Sequence, residues 1–226
     1  TKRQKTWVDI DRTKKYDLTQ AVELLKKHAT SKFDESIEVA INVNVDIRKA
    51  DQQLRGMITL PHGTGRQVRV AVFARDEAAE AAKKAGADVV GAEDLADKVG
   101  KGFLEFDAVV ATPDCMPLMG RIGKILGPKG MMPNPKLGTV TPTPEKIVAD
   151  LKAGMIEYRA EKGGVVHLLA GKASFQNSQL EDNIRAFYDT LKTAKPSGVK
   201  GVYMQGMAVS STMGPGIKLD FSSLNG

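Results

Sequence analysis

Residues 119 to 140, "MGRIGKILGPKGMMPNPKLGTV", combine Gly120, Gly123, Gly127, Gly130 and Gly138 with Arg121, Lys124, Lys129 and Lys136, and contain no acid. Glycine beside lysine suggests a phosphate cradle, so nucleotide binding is the first chemistry to test. A GxxxxGK[ST] loop wraps phosphates in backbone N–H groups, reaches the terminal ones with lysine and holds magnesium with a hydroxyl. Here Leu118 stands five residues before Gly123, and Ile125 follows Lys124, so the match fails at both ends. The GxGxxG dinucleotide fingerprint fails too, because these glycines have the wrong spacing. What remains is an irregular basic loop, either a nucleic-acid contact or a stiff surface connection.

No other group of residues supplies the parts of an enzyme. The single cysteine, Cys115, excludes an internal disulfide and a Cys-rich zinc site. His28, His62 and His167 are far apart and lack HExxH spacing, so each reads as structural. No nucleophile, base and orienting acid fall within one motif. The expectation is a protein without metal or cofactor that is not an enzyme.

Charge points elsewhere. Lys and Arg against Asp and Glu number 13 to 9 over residues 1–67, 12 to 13 over 68–158, and 8 to 5 over 159–226. The middle is nearly neutral and both flanks are basic. A positive surface gathers polyanions, and Lys or Arg contacts to phosphate release counterions, so nucleic acid is a natural partner of the flanks, with plain solubility as the alternative. No run of about 18 apolar residues exists, and the basic N-terminus lacks the apolar stretch of a secretory signal, so the expected setting is cytoplasmic with no membrane contact.

The elements that must position these residues fall into two kinds. From Val68, "VRVAVFA", "DVVGA" and "FDAVVATP" read as strands alternating with the helices "DEAAEAAKKAGA", "EDLADKVGKG", "DCMPLMGRIGKIL" and "TPEKIVADLKAG". That alternation indicates a parallel sheet covered on both faces, interrupted by the long loop "GPKGMMPNPKLGTV", whose prolines keep it out of either neighbour. The flanks differ. "LTQAVELLKKHAT" puts Leu18, Val22, Leu25 and Ala29 on one helical face. "SIEVAINVNVD" alternates, with Ile37, Val39, Ile41, Val43 and Val45 on one side. "MIEYRAEKGGVVHLLAG" reads as a hairpin turning at Lys162 to Gly164, followed by the helix "LEDNIRAFYDTLKTA" and two strands around Gly214 to Gly216. Neither flank can bury a core alone. Together, residues 1–67 and 159–226 predict a split α+β two-layer domain, with a Rossmann-like α/β three-layer domain over 68–158 inserted through connections near "PHGTGRQ" and "LKAGMIEY". The competing division is two consecutive domains cut near residue 155.

The segments "GRIGKILGPKGMMPNPKLGTVTP", "SKFDESIEVAI", "LPHGTGRQVRV", "GKASF" and "SSTMGP" resemble the family of large-subunit ribosomal protein L-one, over nearly the whole chain from Tyr16 to Leu219. The resemblance implies a non-enzymatic constituent of the large ribosomal subunit that binds ribosomal RNA through the split domain. It implies a place in the mobile stalk near the tRNA exit site, help in releasing deacylated tRNA and, in bacterial members, repression of the protein's own operon mRNA. Expected partners are large-subunit rRNA, exit-site tRNA, that mRNA and other ribosomal components. The protein would be a monomer off the ribosome, which could be cytoplasmic or organellar.

Carried over residue by residue, the resemblance places Lys32, Phe33, Glu38, His167, Lys172, Ser174, Ser211, Thr212, Met213 and Gly214 at the RNA surface. It places Arg121, Lys124, Lys129 and Lys136 at a second RNA or tRNA contact. Folded RNA is recognised by shape, 2′-hydroxyls and phosphates, which suits hydroxyls and a close-approaching glycine. Each residue also has a plain reading: Phe33 and Met213 as core, Thr212 as a turn hydroxyl, Lys32 and Lys172 as solvated charge. The rival function is an α/β enzyme acting on a phosphorylated small molecule, with the glycine loop as its anion site.

Overall fold

The computed structural model describes residues 7, 9–11 and 13–224. Lys2, Arg3, Lys5 and Arg12, which count toward the basic flank, lie outside the described residues. The elements run α1 (Leu18–His28), β1 (Ser36–Val43), β2 (Arg55–Thr59), β3 (Val70–Phe73), α2 (Asp76–Lys84), β4 (Val89–Gly91), α3 (Glu93–Gly100) and β5 (Ala108–Ala111). They continue α4 (Met116–Leu126), α5 (Pro144–Ala153), β6 (Met155–Arg159), β7 (Val165–Lys172), α6 (Asn177–Thr193), β8 (Met204–Ser211) and β9 (Gly216–Lys218). The chain is mixed α/β and divides into two compact units, Thr1–Gly65 with Glu157–Gly226, and Arg66–Ile156.

In the split unit four strands lie in the order β7-β1-β8-β9, all pairings antiparallel. Alternation puts Ile37, Val39, Ile41 and Val43 of β1 inside, with Glu38 and Asn42 outside. The inner face is covered by α1, which buries Leu18, Ala21, Val22 and Leu25, and by α6, which buries Leu180, Ile184, Phe187 and Leu191. Lys26, Lys27 and His28 close α1 at its carbonyl end, where cations are favoured. Gln176 and Gln179 satisfy the first N–H groups of α6 reciprocally. The buried amide of Asn183 on α6 holds the loop after β2: it donates to the carbonyls of Gly63 (2.9 Å) and Ala170 (2.7 Å) and accepts from the His62 N–H (3.1 Å).

The contiguous unit has three parallel strands in the order β4-β3-β5. Every residue of β3 is buried, as a parallel strand between two helical layers requires. Ala71 and Phe73 join the core with α3 and α4, and alternation sends Val70 and Val72 to the side where α2 and α5 pack together.

Two readings of the sequence change. Residues 155–172 do not form a hairpin: the turn at Lys162–Gly164 exists, but β6 pairs with β2 in a separate two-stranded sheet, and only Ala160 and Val166 bridge β6's end to β7. The edge of β7 is taken by β1, and the Arg55 to Glu157 ion pair (2.6 Å) and the Ala160 N–H to Leu54 carbonyl bond (2.9 Å) draw β6 to β2. The segment "LKAGMIEY" comprises the end of α5 and the start of β6, and the division between the two units falls within it, between Ile156 and Glu157. Val45 and Ala29 lie just beyond their elements and are half-buried.

Candidate nucleic-acid interface

One end of the four-stranded sheet gathers most of the expected contact residues. Ser36 opens β1 opposite Lys172, the last residue of β7, and Ile37 pairs with Ser211, the last residue of β8. The pairing of β1 with β7 slips between Ile37 and Glu38, a bulge that ends the regular ladder where this cluster begins. Lys32 and Phe33 lie on the α1–β1 loop, Thr212 to Gly214 on the β8–β9 turn, and Ser174 on the turn after β7. Glu38 stands exposed on the open face of the sheet. His167 lies further along that face, opposite Ala40, with Glu161 at 4.0 Å.

Hydrogen bonds inside the cluster use up several groups expected at the RNA. Ser211, buried, donates its hydroxyl to Glu35 (2.7 Å). The Thr212 hydroxyl accepts the Ser36 N–H (2.9 Å) and reaches the Ser36 carbonyl (3.3 Å), which also takes the Thr212 N–H (3.0 Å). Lys172 donates to the Ser36 hydroxyl (2.9 Å), and Ser174 donates both N–H and hydroxyl to Asp34 (3.1 and 2.8 Å). Gly214 is small for an internal reason: a Cβ there would lie 2.3 Å from the Ser211 Oγ. These residues build the surface from within. What they present outward is apolar: Phe33 is 55% exposed and Met213 47%, and among the described residues only Val202 is a further large exposed hydrophobe.

Two further residues, Glu35 and Asp34, hold this cluster together. Glu35 is 2% exposed and accepts from the Ser31 N–H (3.1 Å), the Ser211 hydroxyl and the Met213 N–H (3.0 Å). Burial alone would raise its carboxyl pKa, but hydrogen bonding to Ser211, Ser31 and Met213 outweighs it, and the net shift is downward. A signal was present in the sequence. Two adjacent acids in "SKFDESIEV" are out of place on a surface for a polyanion unless other groups of the protein hold them.

The second group lies in the contiguous unit. Arg121 and Lys124 project from α4, and Lys129 and Lys136 from the loop after it; all four are exposed, and among the described residues none forms an ion pair. The loop is pinned. Met131 and Met132 pack on the α3–α4 core, Leu137 is buried, Asn134 and Thr139 bond each other, and Val140 pairs with Ala111. Gly120 and Gly123 lie within α4 and Gly127, Gly130 and Gly138 follow it, so none sits at the N-terminus of this helix, where N–H groups would cradle phosphate. Among the described residues, no His, Cys, Asp or Glu group could hold a metal ion, and no helix is long and apolar enough to cross a membrane.

The model of the ribosomal protein L1p/L10e family matches residues 25–215. The chain belongs to that family. It is thereby a structural protein of the large ribosomal subunit, of a family that is not enzymatic, and its partners are ribosomal components and rRNA. For the L1p/L10e fold, both the tight cluster at the end of β1 and the basic loop after α4 lie within the matched span.

Proposed function

We propose that this chain anchors itself to a folded segment of large-subunit ribosomal RNA through the cluster at the end of β1. There it forms the mobile stalk near the tRNA exit site and assists release of deacylated tRNA. The observation that carries this reading is the pairing of exposed Phe33 and Met213 on two loops whose hydroxyls and carboxylates are bound internally. A rigid surface with apolar tips suits RNA recognised by shape and by stacking on unpaired bases, with Lys32 for phosphate and Glu38 to accept from 2′-hydroxyl or guanine donors. His167 extends the surface along the open face. Arg121, Lys124, Lys129 and Lys136, exposed and unpaired among the described residues, form the second contact, toward rRNA or exit-site tRNA.

By the same recognition, a matching fold in the chain's own operon mRNA would be bound and its translation repressed. The protein works as a monomer off the ribosome, in the cytoplasm or an organelle.

The test is titration of the nuclease-treated full chain with a transcript of the ribosomal stalk RNA and with an unrelated duplex of equal length. Selective binding of the stalk transcript is expected, weakened about tenfold or more by Phe33→Ala or Met213→Ala. Equal affinity for both RNAs would sink the reading.

A further inference from the structure

We infer that Glu35 is a positioning residue for RNA recognition: its buried carboxylate ties the loop carrying Phe33 to the turn carrying Met213 and so sets both apolar tips in place before RNA arrives. The inference rests on the proposed RNA contact and adds the device that prepares it.

Three donors converge on this side chain from two segments distant in sequence. Oε1 accepts the Ser31 N–H, two residues before Phe33, while Oε2 accepts both the Ser211 hydroxyl and the Met213 N–H. The Glu35 main chain adds to the clamp, since its carbonyl accepts the Ala173 N–H (2.8 Å) from the turn after β7. A neutral amide cannot replace the carboxylate. Glutamine has one oxygen, so whichever way it turns, either the Ser31 or the Met213 N–H meets an NH2 group and loses its acceptor. Glu35 itself, at 2% exposure, has no surface to offer a ligand. Its effect on binding must pass through the groups that it holds.

The sign of the effect separates positioning from bulk charge. Glu35→Gln removes a negative charge near the proposed contact for a polyanion, and electrostatics alone would tighten binding. Positioning predicts the opposite. The loops lose a fixed arrangement, and RNA must supply the ordering on binding.

The experiment uses the full chain and the stalk RNA transcript. Glu35→Gln should weaken binding about tenfold, the equivalent of one lost charge-assisted hydrogen bond. The slope of affinity against salt should stay the same, because no phosphate contact is removed. In a double-mutant cycle, Met213→Ala should cost clearly less in the Glu35→Gln background than in the wild type, whereas a loss through general destabilisation would be additive. In the free protein, amide exchange at Ser31 or Met213 should quicken, while exchange in β1 stays slow. Wild-type binding with an undiminished or tighter Glu35→Gln complex would overturn the positioning role alone. Failure of the wild type to bind the transcript would overturn the RNA reading and this inference with it. Should Glu35→Gln not fold, Ser211→Ala takes its place, removing one donor to the same carboxylate. It should give a loss of about threefold and the same non-additivity with Met213→Ala, and additive losses would overturn the role.

Discussion

The cluster at the end of β1 and the basic loop after α4 are both proposed to meet nucleic acid, yet they are built in opposite ways. In the cluster Glu35 holds Ser211, Ser36 holds Thr212 and Lys172, and Asp34 holds Ser174, and the outward tips are Phe33 and Met213. Around α4 the apolar groups turn inward, through Met131, Met132 and Leu137, and the outward tips are four exposed cations that form no ion pair among the described residues. The first arrangement suits recognition of a shape, and binding through it should depend little on salt. The second supplies charge without a fixed partner, so it should attract phosphate broadly and be screened readily.

The strongest way to break the comparison is to spoil the shape while leaving every charge in place. Gly214→Val pushes a side chain into the Ser211 Oγ, forcing that residue off Glu35. Overpacking of this kind costs about 1–3 kcal/mol, and stalk-RNA affinity should fall about a hundredfold as thermal stability drops. Calorimetry and RNA titration would show it; unaltered affinity would mean that the turn is not part of the contact.

Acid should release the clamp next. Because the folded pKa of Glu35 lies below its usual 4.5, the stabilisation is complete above that value and is lost as pH falls through the depressed folded value. In urea unfolding, wild type should therefore exceed Glu35→Gln in stability at neutral pH, and the gap should close in acid. A gap independent of pH would show that the carboxylate is not what the clamp uses.

Thr212→Val should act more gently. Its hydroxyl satisfies the Ser36 N–H, but both residues are open enough for water to substitute, so the expected loss is about 0.5–1.5 kcal/mol, restored by Thr212→Ser. Matching thermal melts of the two variants would remove the hydroxyl from the cluster's framework. On the charged side, replacing Arg121, Lys124, Lys129 and Lys136 together by alanine should lower the salt slope of RNA or tRNA binding while leaving the melting temperature unchanged. Lys101→Ala, at the end of α3, should alter neither. Smallest of all, Gly120→Ala should raise stability by about 0.5–1 kcal/mol, because Gly120 lies exposed within α4 with nothing within 4 Å of a Cβ. If thermal melts show the gain but RNA binding weakens, that helix face is approached closely by its ligand.

Much of the fold was legible because it follows from local periodicity. The alternation in "SIEVAINV" and the strand–helix cycle from Val70 onward each specify an element within their own window. β2 was not legible. "RGMIT" carries a glycine that weakens any strand pattern, and the reason for Gly56 is a ring from far along the chain: a Cβ there would meet the Tyr158 hydroxyl at 2.6 Å. The hairpin over 155–172 failed for a related reason, since the turn is written locally whereas the partner of β6 is not. For the site, resemblance supplied the neighbourhood but not the direction in which each group points. Whether the Ser174 hydroxyl faces RNA or Asp34 depends on a contact 140 residues apart in sequence, and no spacing rule encodes that.

The position of β1 in its sheet also has a consequence for synthesis. It is an inner strand, flanked by β7 and β8, and its nearer partner in sequence begins about 120 residues after it ends. At about 5–20 residues per second, the first strand made waits several seconds or longer for its neighbours, with both edges unpaired. The intervening unit is contiguous and can close its own parallel sheet meanwhile. Non-local pairing of this kind is slow, and Glu38 and Asn42 on the open face guard the waiting strand against association with other chains. The clamp on Glu35 is completed later still, when Ser211 and Met213 have been added. A nascent chain therefore lacks its proposed RNA surface until almost the whole of the described sequence has been translated, and any feedback of the protein on its own message must come from finished molecules.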